Sequence, residues 1–212
     1  MTAPVKQESP GFSLALAVGS VKKHMWGGRA LIRVRTPLSA DDCTALSIGD
    51  RVLISGTIYG ARDAAHKRLV DALEAGATLP FELKGQLVYY VGPCPAPPGR
   101  AIGSAGPTTS GRMDAYTPAL LDAGLKGMLG KGTRRQSVVE AIVRNKCVYF
   151  ATSGGAGALL ASRIVAAEVI GYPELGPEAL YKLEVEDFPA IVAIDSQGRD
   201  IYRTGVAQYR TI

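Results

Sequence analysis

The short segment from Gly106 to Asp114 constrains the fold most, because its two glycines and one proline require the backbone to turn sharply. This turn carries three hydroxyl groups and one guanidinium, those of Thr108, Thr109, Ser110 and Arg112. A second cation, Lys131, lies between two glycines further along the chain, and a third, Arg62, stands where a predicted strand gives way to a helix. We interpret these three loops as a cradle for a small molecule with more than one negative charge.

The excess of basic residues also favours an anionic partner. The 24 lysines and arginines exceed the 19 aspartates and glutamates, which gives a formal net charge of +5. The chain has no zinc-finger or helix-turn-helix pattern and no interleaving of aromatic with basic residues, so we predict a small organic anion and no nucleic acid. Arg134 and Arg135, close to Lys131, are expected to form a solvated basic patch that attracts such anions.

The three cysteines, Cys43, Cys94 and Cys147, are odd in number and far apart. This pattern argues against a disulfide framework and against a zinc or iron–sulfur site built by this chain alone, so we expect no metal ligands here. The expected state is a reduced thiol in a reducing compartment. Cys94 lies in a proline-rich loop and is interpreted as buried and inert.

The length of 212 residues predicts one substantial domain, which we place at residues 29–212 after an N-terminal arm at residues 1–28. The arm either packs on a partner or frays. No apolar run reaches the roughly 20 residues of a membrane-spanning helix, so we expect no membrane association. The apolar segment Phe12–Val21 is short and has no clear cleavage site, which predicts a cytoplasmic protein without a secretory signal.

Apolar periodicity predicts a mixture of strands and helices without strict alternation. The predicted strands are Leu31–Arg35, Arg51–Ile58, Phe81–Val91 with an interruption at Gly85, Cys147–Ala151 and Tyr181–Val185. The predicted helices are Ala61–Ala75, Thr117–Gly124, Ser137–Lys146 and Ala158–Ile170. A hairpin turn at Asp195–Gly198 is expected to join Ala190–Ile194 to Ile201–Arg203. The pattern indicates an α/β or α+β fold with a mixed sheet.

The helix predicted to begin near Ala61 has two distinct faces. Arg62 and His66 fall on the apolar side, whereas Asp63 falls among residues that face water. His66 is therefore interpreted as a core histidine and is left out of the site. A capping box of Ser137 and Glu140 is predicted to open the helix that ends near residue 146.

Three segments together resemble one enzyme family. They are Gly56–His66, Gly106–Asp114 and Gly130–Gly132, with Tyr90–Pro95 between the first two. In this order they resemble the C-terminal half of class I fumarate hydratases, a region that also occurs as the separate beta subunit of two-chain fumarases and L-tartrate dehydratases. The resemblance covers nearly all of residues 30–205 and implies a swivelling β/β/α domain with a mixed sheet flanked by helices.

The resemblance also implies roles for single residues. Arg62, Arg112 and Lys131 match the family's substrate-binding cations, and Thr108 matches the threonine proposed there as the catalytic base. It further implies a [4Fe-4S] cluster held by three cysteines of a partner alpha subunit. This chain is then half of a composite active site, in an expected α2β2 assembly that takes a small dicarboxylate.

These residue types suit a four-carbon dicarboxylate. An arginine holds a carboxylate through two parallel hydrogen bonds. Removing a proton from the neighbouring carbon builds negative charge on that carboxylate, and a preorganised cation there stabilises the transition state. A threonine hydroxyl such as that of Thr108 is a poor base alone and needs a carboxylate or similar group from the partner.

Each motif also has a structural interpretation. The hydroxyls of residues 108–110 can close a turn or cap a helix, Arg112 can pair with Asp114, and Lys131 can belong to a flexible surface turn. The glycine-rich segment Ser153–Gly157 lacks the ending of a P-loop and a full dinucleotide fingerprint, so we interpret it as close backbone packing.

Two classes of function remain at this point. The first is the beta subunit of an iron–sulfur hydro-lyase, with fumarate to (S)-malate as the leading reaction and L-tartrate to oxaloacetate as the alternative. The second is a non-catalytic domain that holds an anionic metabolite or nucleotide on its glycine-rich loops.

Overall fold

A computed structural model describes residues 17–18, 21–26 and 29–210 of the chain. Its strands are β1 (Ala17–Val18), β2 (Val21–Trp26), β3 (Arg29–Arg35), β4 (Arg51–Gly60), β5 (Leu87–Tyr89), β6 (Gly127–Gly130), β7 (Val148–Ala151), β8 (Ile164–Gly171) and β9 (Leu180–Ile194). Its helices are α1 (Ala40–Thr44), α2 (Asp63–Glu74), α3 (Thr117–Asp122), α4 (Gln136–Asn145), α5 (Gly157–Ala161) and α6 (Ile201–Tyr209), with 3₁₀ segments at Ser110–Met113 and Pro173–Glu178. The predicted α/β class with a mixed sheet is confirmed.

The sheet combines a parallel centre with antiparallel margins. Strands β3 to β7 run parallel to one another in chain order, while β1, β2 and β3 pair antiparallel. The long strand β9 runs antiparallel to β4, β7 and β8. Because β9 pairs with both β4 and β7, the strands β4, β5, β6, β7 and β9 form a closed circuit.

The central strands bury side chains on both faces. Leu87 and Tyr89 of β5 pack in a core lined by β3, β4, β7 and β9, whereas the alternate residue Val88 packs in a second core against α2, α3 and α4. Strand β7 repeats the pattern, with Phe150 in the first core and Tyr149 in the second. This alternation follows from the two-residue period of a strand, and burial on both sides is typical of parallel sheets.

The predicted helix Ala158–Ile170 is wrong over most of its length. Helix α5 ends at Ala161, and the following residues form β8, which pairs with β9. The β-branched side chains of Ile164, Val165, Val169 and Ile170 favour a strand, and the antiparallel partner supplies the hydrogen bonds that a helix lacks there.

The predicted C-terminal hairpin is only partly correct. Its turn forms, because the Gly198 amide donates to the Asp195 carbonyl at 2.9 Å. Its second arm is wrong, since the residues from Ile201 onward form α6. The Asp200 carboxylate caps this helix by accepting from the Tyr202 amide at 2.9 Å, and an aspartate at that position favours a helix over a strand.

Two further predictions hold only in part or fail. The interruption predicted at Gly85 is present, as a turn with a positive φ of 79°, but of the strand predicted over Phe81–Val91 only β5 forms, after that turn. The capping box of Ser137 and Glu140 is also wrong, since α4 begins one residue earlier, at Gln136. Helix α2, by contrast, lies within two residues of its predicted start and end.

The predicted N-terminal arm, residues 1–28, lies mostly outside the described residues, which include only β1 and β2 from it. Its role and the domain boundary at residue 29 therefore stay predictions. No helix in the described ranges is long and apolar enough to cross a membrane.

The cysteines differ in accessibility, and the expectation that Cys94 is buried is wrong. Cys94 is exposed, because its loop projects from the surface, whereas Cys43 and Cys147 are buried. Burial raises the pKa of the Cys43 thiol to about 12 and that of Cys147 to about 11. Only the thiolate reacts with electrophiles. The two buried thiols are therefore protected from modification because they are inaccessible and because they stay protonated.

We therefore expect a thiol reagent at pH 8 to modify one cysteine of the folded chain and all three after denaturation. Titration of the Cys94→Ser variant with the same thiol reagent measures this directly, since its folded form is expected not to react. Rapid modification of Cys43 or Cys147 in the folded protein contradicts the described core.

Candidate functional site

Four parallel strands end at one margin of the sheet, and two of the four predicted site residues, Arg62 and Lys131, follow these strand ends. Arg62 comes after β4, Gly92 after β5, Lys131 after β6 and Gly154 after β7. We call the region formed by these four strand ends the carboxyl edge. In α/β sheets of this kind, ligands bind outside the carboxyl ends of the strands.

The loop Gly106–Asp114 is fixed across the ends of β5 and β6. The Thr108 amide donates to the Tyr90 carbonyl at 2.8 Å, and the Ser110 amide donates to the Lys131 carbonyl at 2.9 Å. Isolated bridges on either side of Thr108 reinforce these bonds. The backbone of Thr108 is therefore held between two strand ends, with its side chain half-buried at the carboxyl edge.

The neighbouring hydroxyls have different surroundings. Ser110 is fully buried, and its Oγ lies 2.8 Å from Tyr149 Oη. A Cβ atom on Gly130 would lie only 2.1 Å from Ser110 Oγ, so a glycine is required for the loop to sit this close to β6. Thr109 is exposed and caps no helix with its side chain. Ser110 is thus a packing residue, as the structural interpretation predicts.

Arg62 lies partly buried over the end of β5, on the inward side predicted for it. Its side chain is 23% exposed and passes so close to Gly92 that a Cβ there would lie 2.8 Å from Nη1. Arg62 Nε donates to Asp63 Oδ2 at 3.2 Å, and Nη2 lies 2.9 Å from Glu178 Oε1. Two carboxylates and a glycine therefore fix the direction of this guanidinium.

Arg112 approaches the same place from the 3₁₀ segment. It is 49% exposed, and its Nε donates to Asp63 Oδ1 at 2.8 Å. The structural alternative, a pair of Arg112 with Asp114, does not form. The prediction that Asp63 faces water is also wrong, because the 3₁₀ segment brings Arg112 onto the first turn of α2 and Asp63 joins the two arginines.

Lys131 occupies a separate part of the carboxyl edge. Its side chain runs along Gly154, where an added Cβ would lie 3.8 Å from Nζ. Among the described residues it forms no ion pair, in contrast to the two arginines. No described contact joins Lys131 to Arg62 or Arg112, whereas the two arginines share the Asp63 carboxylate.

The expected solvated patch at Arg134 and Arg135 is wrong for Arg134. Its side chain is fully buried, and its Nε donates to Asp114 Oδ1 at 2.6 Å. Its guanidinium carbon lies 5.2 Å from the centre of the Tyr90 ring and 5.0 Å from that of Tyr149. Asp114 also accepts from the Arg135 amide at 2.8 Å. This buried pair fastens the loop that carries Thr108 and Arg112 to the segment after Lys131.

Two residues behave as their structural interpretations predict. His66 is buried, and its Nδ1 lies 3.1 Å from the Arg62 carbonyl oxygen. Burial lowers the pKa of His66 to about 4, so the ring is neutral near pH 7. Gly157 packs closely against the start of the Gly106 loop, where an added Cβ would lie 3.1 Å from the Gly106 nitrogen.

Two cavities formed by described residues are not lined by the predicted cations. A cavity of about 360 Å³ lies beside Cys94 and Tyr181, and one of about 500 Å³ lies beside Leu159 and Ile191. None of the three predicted cations lines either cavity. Neither cavity is therefore assigned to the predicted site.

Comparison with known proteins identifies the family. The family model described as the fumarase C-terminus matches residues 14–205. The chain belongs to this family. It is 42% identical over 158 residues to the anaerobic class I fumarate hydratase of Escherichia coli, and 39% identical over 194 residues to fumarate hydratase 2 of Leishmania major. It is also 36% identical over 171 residues to a putative L(+)-tartrate dehydratase subunit beta of Methanocaldococcus jannaschii.

These fumarase relatives differ greatly from the chain in length. The match to the E. coli enzyme takes in 74% of this chain and 29% of that protein, and the match to the L. major enzyme takes in 91% and 33%. The match to the M. jannaschii subunit takes in 78% of this chain and 88% of that subunit. The chain thus corresponds to about a third of these fumarate hydratases and to most of the beta subunit.

The described residues do not fit a metal cluster. Nowhere in the described ranges do three histidine, cysteine or acidic side chains gather in a way that could hold a metal ion. Cys43 on α1 and Cys147 just before β7 are buried with raised pKa values, which opposes the thiolate form that iron requires. A cluster used by this fumarase C-terminus domain therefore needs ligands from elsewhere.

We predict that the buried pair at Asp114 dominates the stability of the site. Asp114→Ala leaves Arg134 buried without its counter-ion and is expected to lower the free energy of unfolding by about 3–5 kcal/mol. Urea denaturation measures this loss. The matched control is Asp122→Ala, which breaks an exposed pair with Arg144 and is expected to cost about 0–1 kcal/mol. Equal losses in both variants contradict the role given to the buried pair.

Proposed function

We propose that this chain is the beta subunit of a hydro-lyase of the class I fumarate hydratase type, which interconverts fumarate and (S)-malate together with an alpha subunit. The observation that carries the proposal is the pair of arginines, Arg62 and Arg112, bound to one carboxylate at the carboxyl edge beside Thr108. The similarity to fumarate hydratases over most of the chain supports the same reaction class.

The arginines suit the two carboxylates of such a substrate. Arg112 uses only its Nε for Asp63, so both of its terminal nitrogens remain available for a carboxylate. Arg62 is held more tightly and presents Nη1 beside Gly92. Lys131, which lies along Gly154, adds a positive charge that no described carboxylate neutralises. In this proposal the three cations bind and orient the dianion and stabilise the charge that develops on proton removal.

Thr108 is proposed to hold the transferred proton at its Oγ1. Its backbone is fixed by the Tyr90 carbonyl, so the hydroxyl has a defined position relative to Arg112 in the same loop. A hydroxyl group needs a neighbouring base to accept a proton efficiently, and we assign that base to the partner subunit. The side chain of Arg112 is 49% exposed, which leaves it accessible to such a partner.

We assign the [4Fe-4S] cluster implied by the family resemblance to the alpha subunit, because the described residues of this chain provide no ligand set. When bound, such a cluster supplies Lewis-acid activation of the leaving hydroxyl. The residues of this chain then bind the carboxylates and hold the proton. An α2β2 complex in the cytoplasm is the assembly that we propose.

L(+)-tartrate dehydration is the second candidate. The similarity to the putative L(+)-tartrate dehydratase subunit beta of M. jannaschii favours this reaction. The match covers 88% of that subunit. The same cations serve both substrates, since each substrate has two carboxylates.

The central experiment is reconstitution with a polypeptide that resembles the remaining part of the fumarase relatives. Anaerobic co-expression is expected to give a brown, oxygen-sensitive complex that hydrates fumarate, while this chain alone is colourless and inactive. Parallel assays with malate and L-tartrate then separate the two substrates. A non-catalytic anion-binding domain forms no such complex, and turnover by this chain alone without iron overturns the proposal.

Single substitutions test the assigned roles in the reconstituted complex. Thr108→Ala is expected to lower kcat by about 10²- to 10⁴-fold with little change in KM, because it removes a proton-transfer group. Arg112→Ala is expected to lower kcat/KM by about 10- to 100-fold through both kcat and KM, because it removes charge-assisted hydrogen bonds to the substrate.

Two matched controls accompany these variants. Thr109→Ala alters the exposed threonine beside Thr108, and Arg144→Ala removes an exposed arginine that pairs with Asp122. Both controls are expected to retain the kinetics of the unmodified complex. Unchanged rates in Thr108→Ala or Arg112→Ala contradict the role of that residue.

A further inference from the structure

One carboxylate, that of Asp63, joins the two arginines. Each of its oxygens accepts from a different guanidinium, Oδ1 from Arg112 Nε at 2.8 Å and Oδ2 from Arg62 Nε at 3.2 Å. Both bonds use the Nε of the arginine. The terminal nitrogens of Arg112 have no described ion-pair partner, whereas Arg62 Nη2 pairs with Glu178 Oε1 and only Nη1 of Arg62 stays unpaired. Arg62 comes from the end of β4 and Arg112 from the 3₁₀ segment, so Asp63 is the described contact that links these two elements at the site.

The position of Asp63 is itself well defined. It is the first residue of α2, where the positive end of the helix favours a negative side chain. Partial burial opposes its ionisation, but its own backbone amide, Arg62 and Arg112 together hold the pKa of Asp63 below its ordinary value. The side chain is therefore an anion throughout the neutral pH range, and both arginine contacts are charge-assisted.

Two roles are compatible with an anion between two substrate-binding cations. The carboxylate either competes with the substrate for the arginines or orients them for it. A competing carboxylate is expected to occupy the two-pronged face of a guanidinium, where substrate carboxylates bind. On Arg112, Asp63 instead contacts only Nε, so the terminal nitrogens stay free for a ligand. The geometry thus favours orientation.

We propose that Asp63 is a positioning residue, which holds Arg62 and Arg112 at a fixed spacing and offsets the repulsion between them so that they bind the substrate carboxylates. This inference rests on the proposed function for the identity of the substrate. Glu178 completes the arrangement, because it holds Arg62 from the other side at 2.9 Å and also accepts from the Ala64 amide at 3.0 Å.

The first test is the kinetics of Asp63→Asn in the reconstituted complex. Asparagine keeps the shape of the side chain but loses the charge. KM for fumarate is therefore expected to rise about 10-fold and kcat to fall by a smaller factor, because both arginines lose their alignment. A competing role for Asp63 predicts a lower KM instead. A purely structural role predicts a lower kcat with unchanged KM, because only the fraction of folded enzyme falls. Either of these results overturns the proposal.

Asp71→Asn is the matched control. Asp71 lies on the same helix and pairs only with the exposed Lys67, at 2.7 Å, so its substitution is expected to leave KM unchanged. Asp63→Glu is a further test variant, because it restores the negative charge one methylene group further from the backbone. Its KM is expected to lie between those of the unmodified complex and Asp63→Asn.

A second measurement needs no turnover. In NMR spectra of the full chain, the Nε–H groups of Arg62 and Arg112 are expected to exchange slowly with water and to lose this protection together in Asp63→Asn. The Nε–H of Arg144, which is bonded to Asp122 at 3.1 Å, is the internal reference. If the complex acts on no dicarboxylate, the proposed function fails while this test still decides the role of Asp63. Unchanged exchange at both arginines overturns that role.

Discussion

The buried pair of Arg134 and Asp114 is the interaction on which the arrangement of the site depends. A guanidinium without water around it is costly unless its charge and its donors are matched, and here one carboxylate, two hydroxyl groups and two aromatic faces do so. Asp114 closes the 3₁₀ segment, while Arg134 precedes α4. The pair therefore decides where the loop with Thr108 and Arg112 lies relative to Lys131.

The electrostatics of the carboxyl edge are uneven. The arginines are compensated by Asp63 and Glu178, whereas Lys131 has no described counter-ion. Ion pairs restrict the side chains of the arginines before a ligand arrives, so less conformational entropy is lost when they bind one. An uncompensated lysine attracts anions over a longer range.

The sequence is informative where local chemistry decides the structure and fails where distant contacts decide it. Helix α2, β4 and the turn at Gly106–Asp114 follow from periodicity and glycine content, and the four proposed site residues follow from resemblance. The contacts of Asp63 and Arg134 were not predictable from their neighbours, because both depend on residues far along the chain. Strand β8 was mistaken for a helix for the same reason, since β9 supplies its hydrogen bonds.

The path of β9 has a consequence for how the chain acquires its structure during synthesis. This strand is the only described partner that closes the circuit between β4 and β7, and it ends at Ile194, late in the sequence. Pairings between segments so far apart form slowly, since a long loop must be ordered first. A nascent polypeptide that stops before Leu180 therefore has the parallel strands but lacks the strand that closes the circuit, and its apolar core needs protection until β9 has been synthesised.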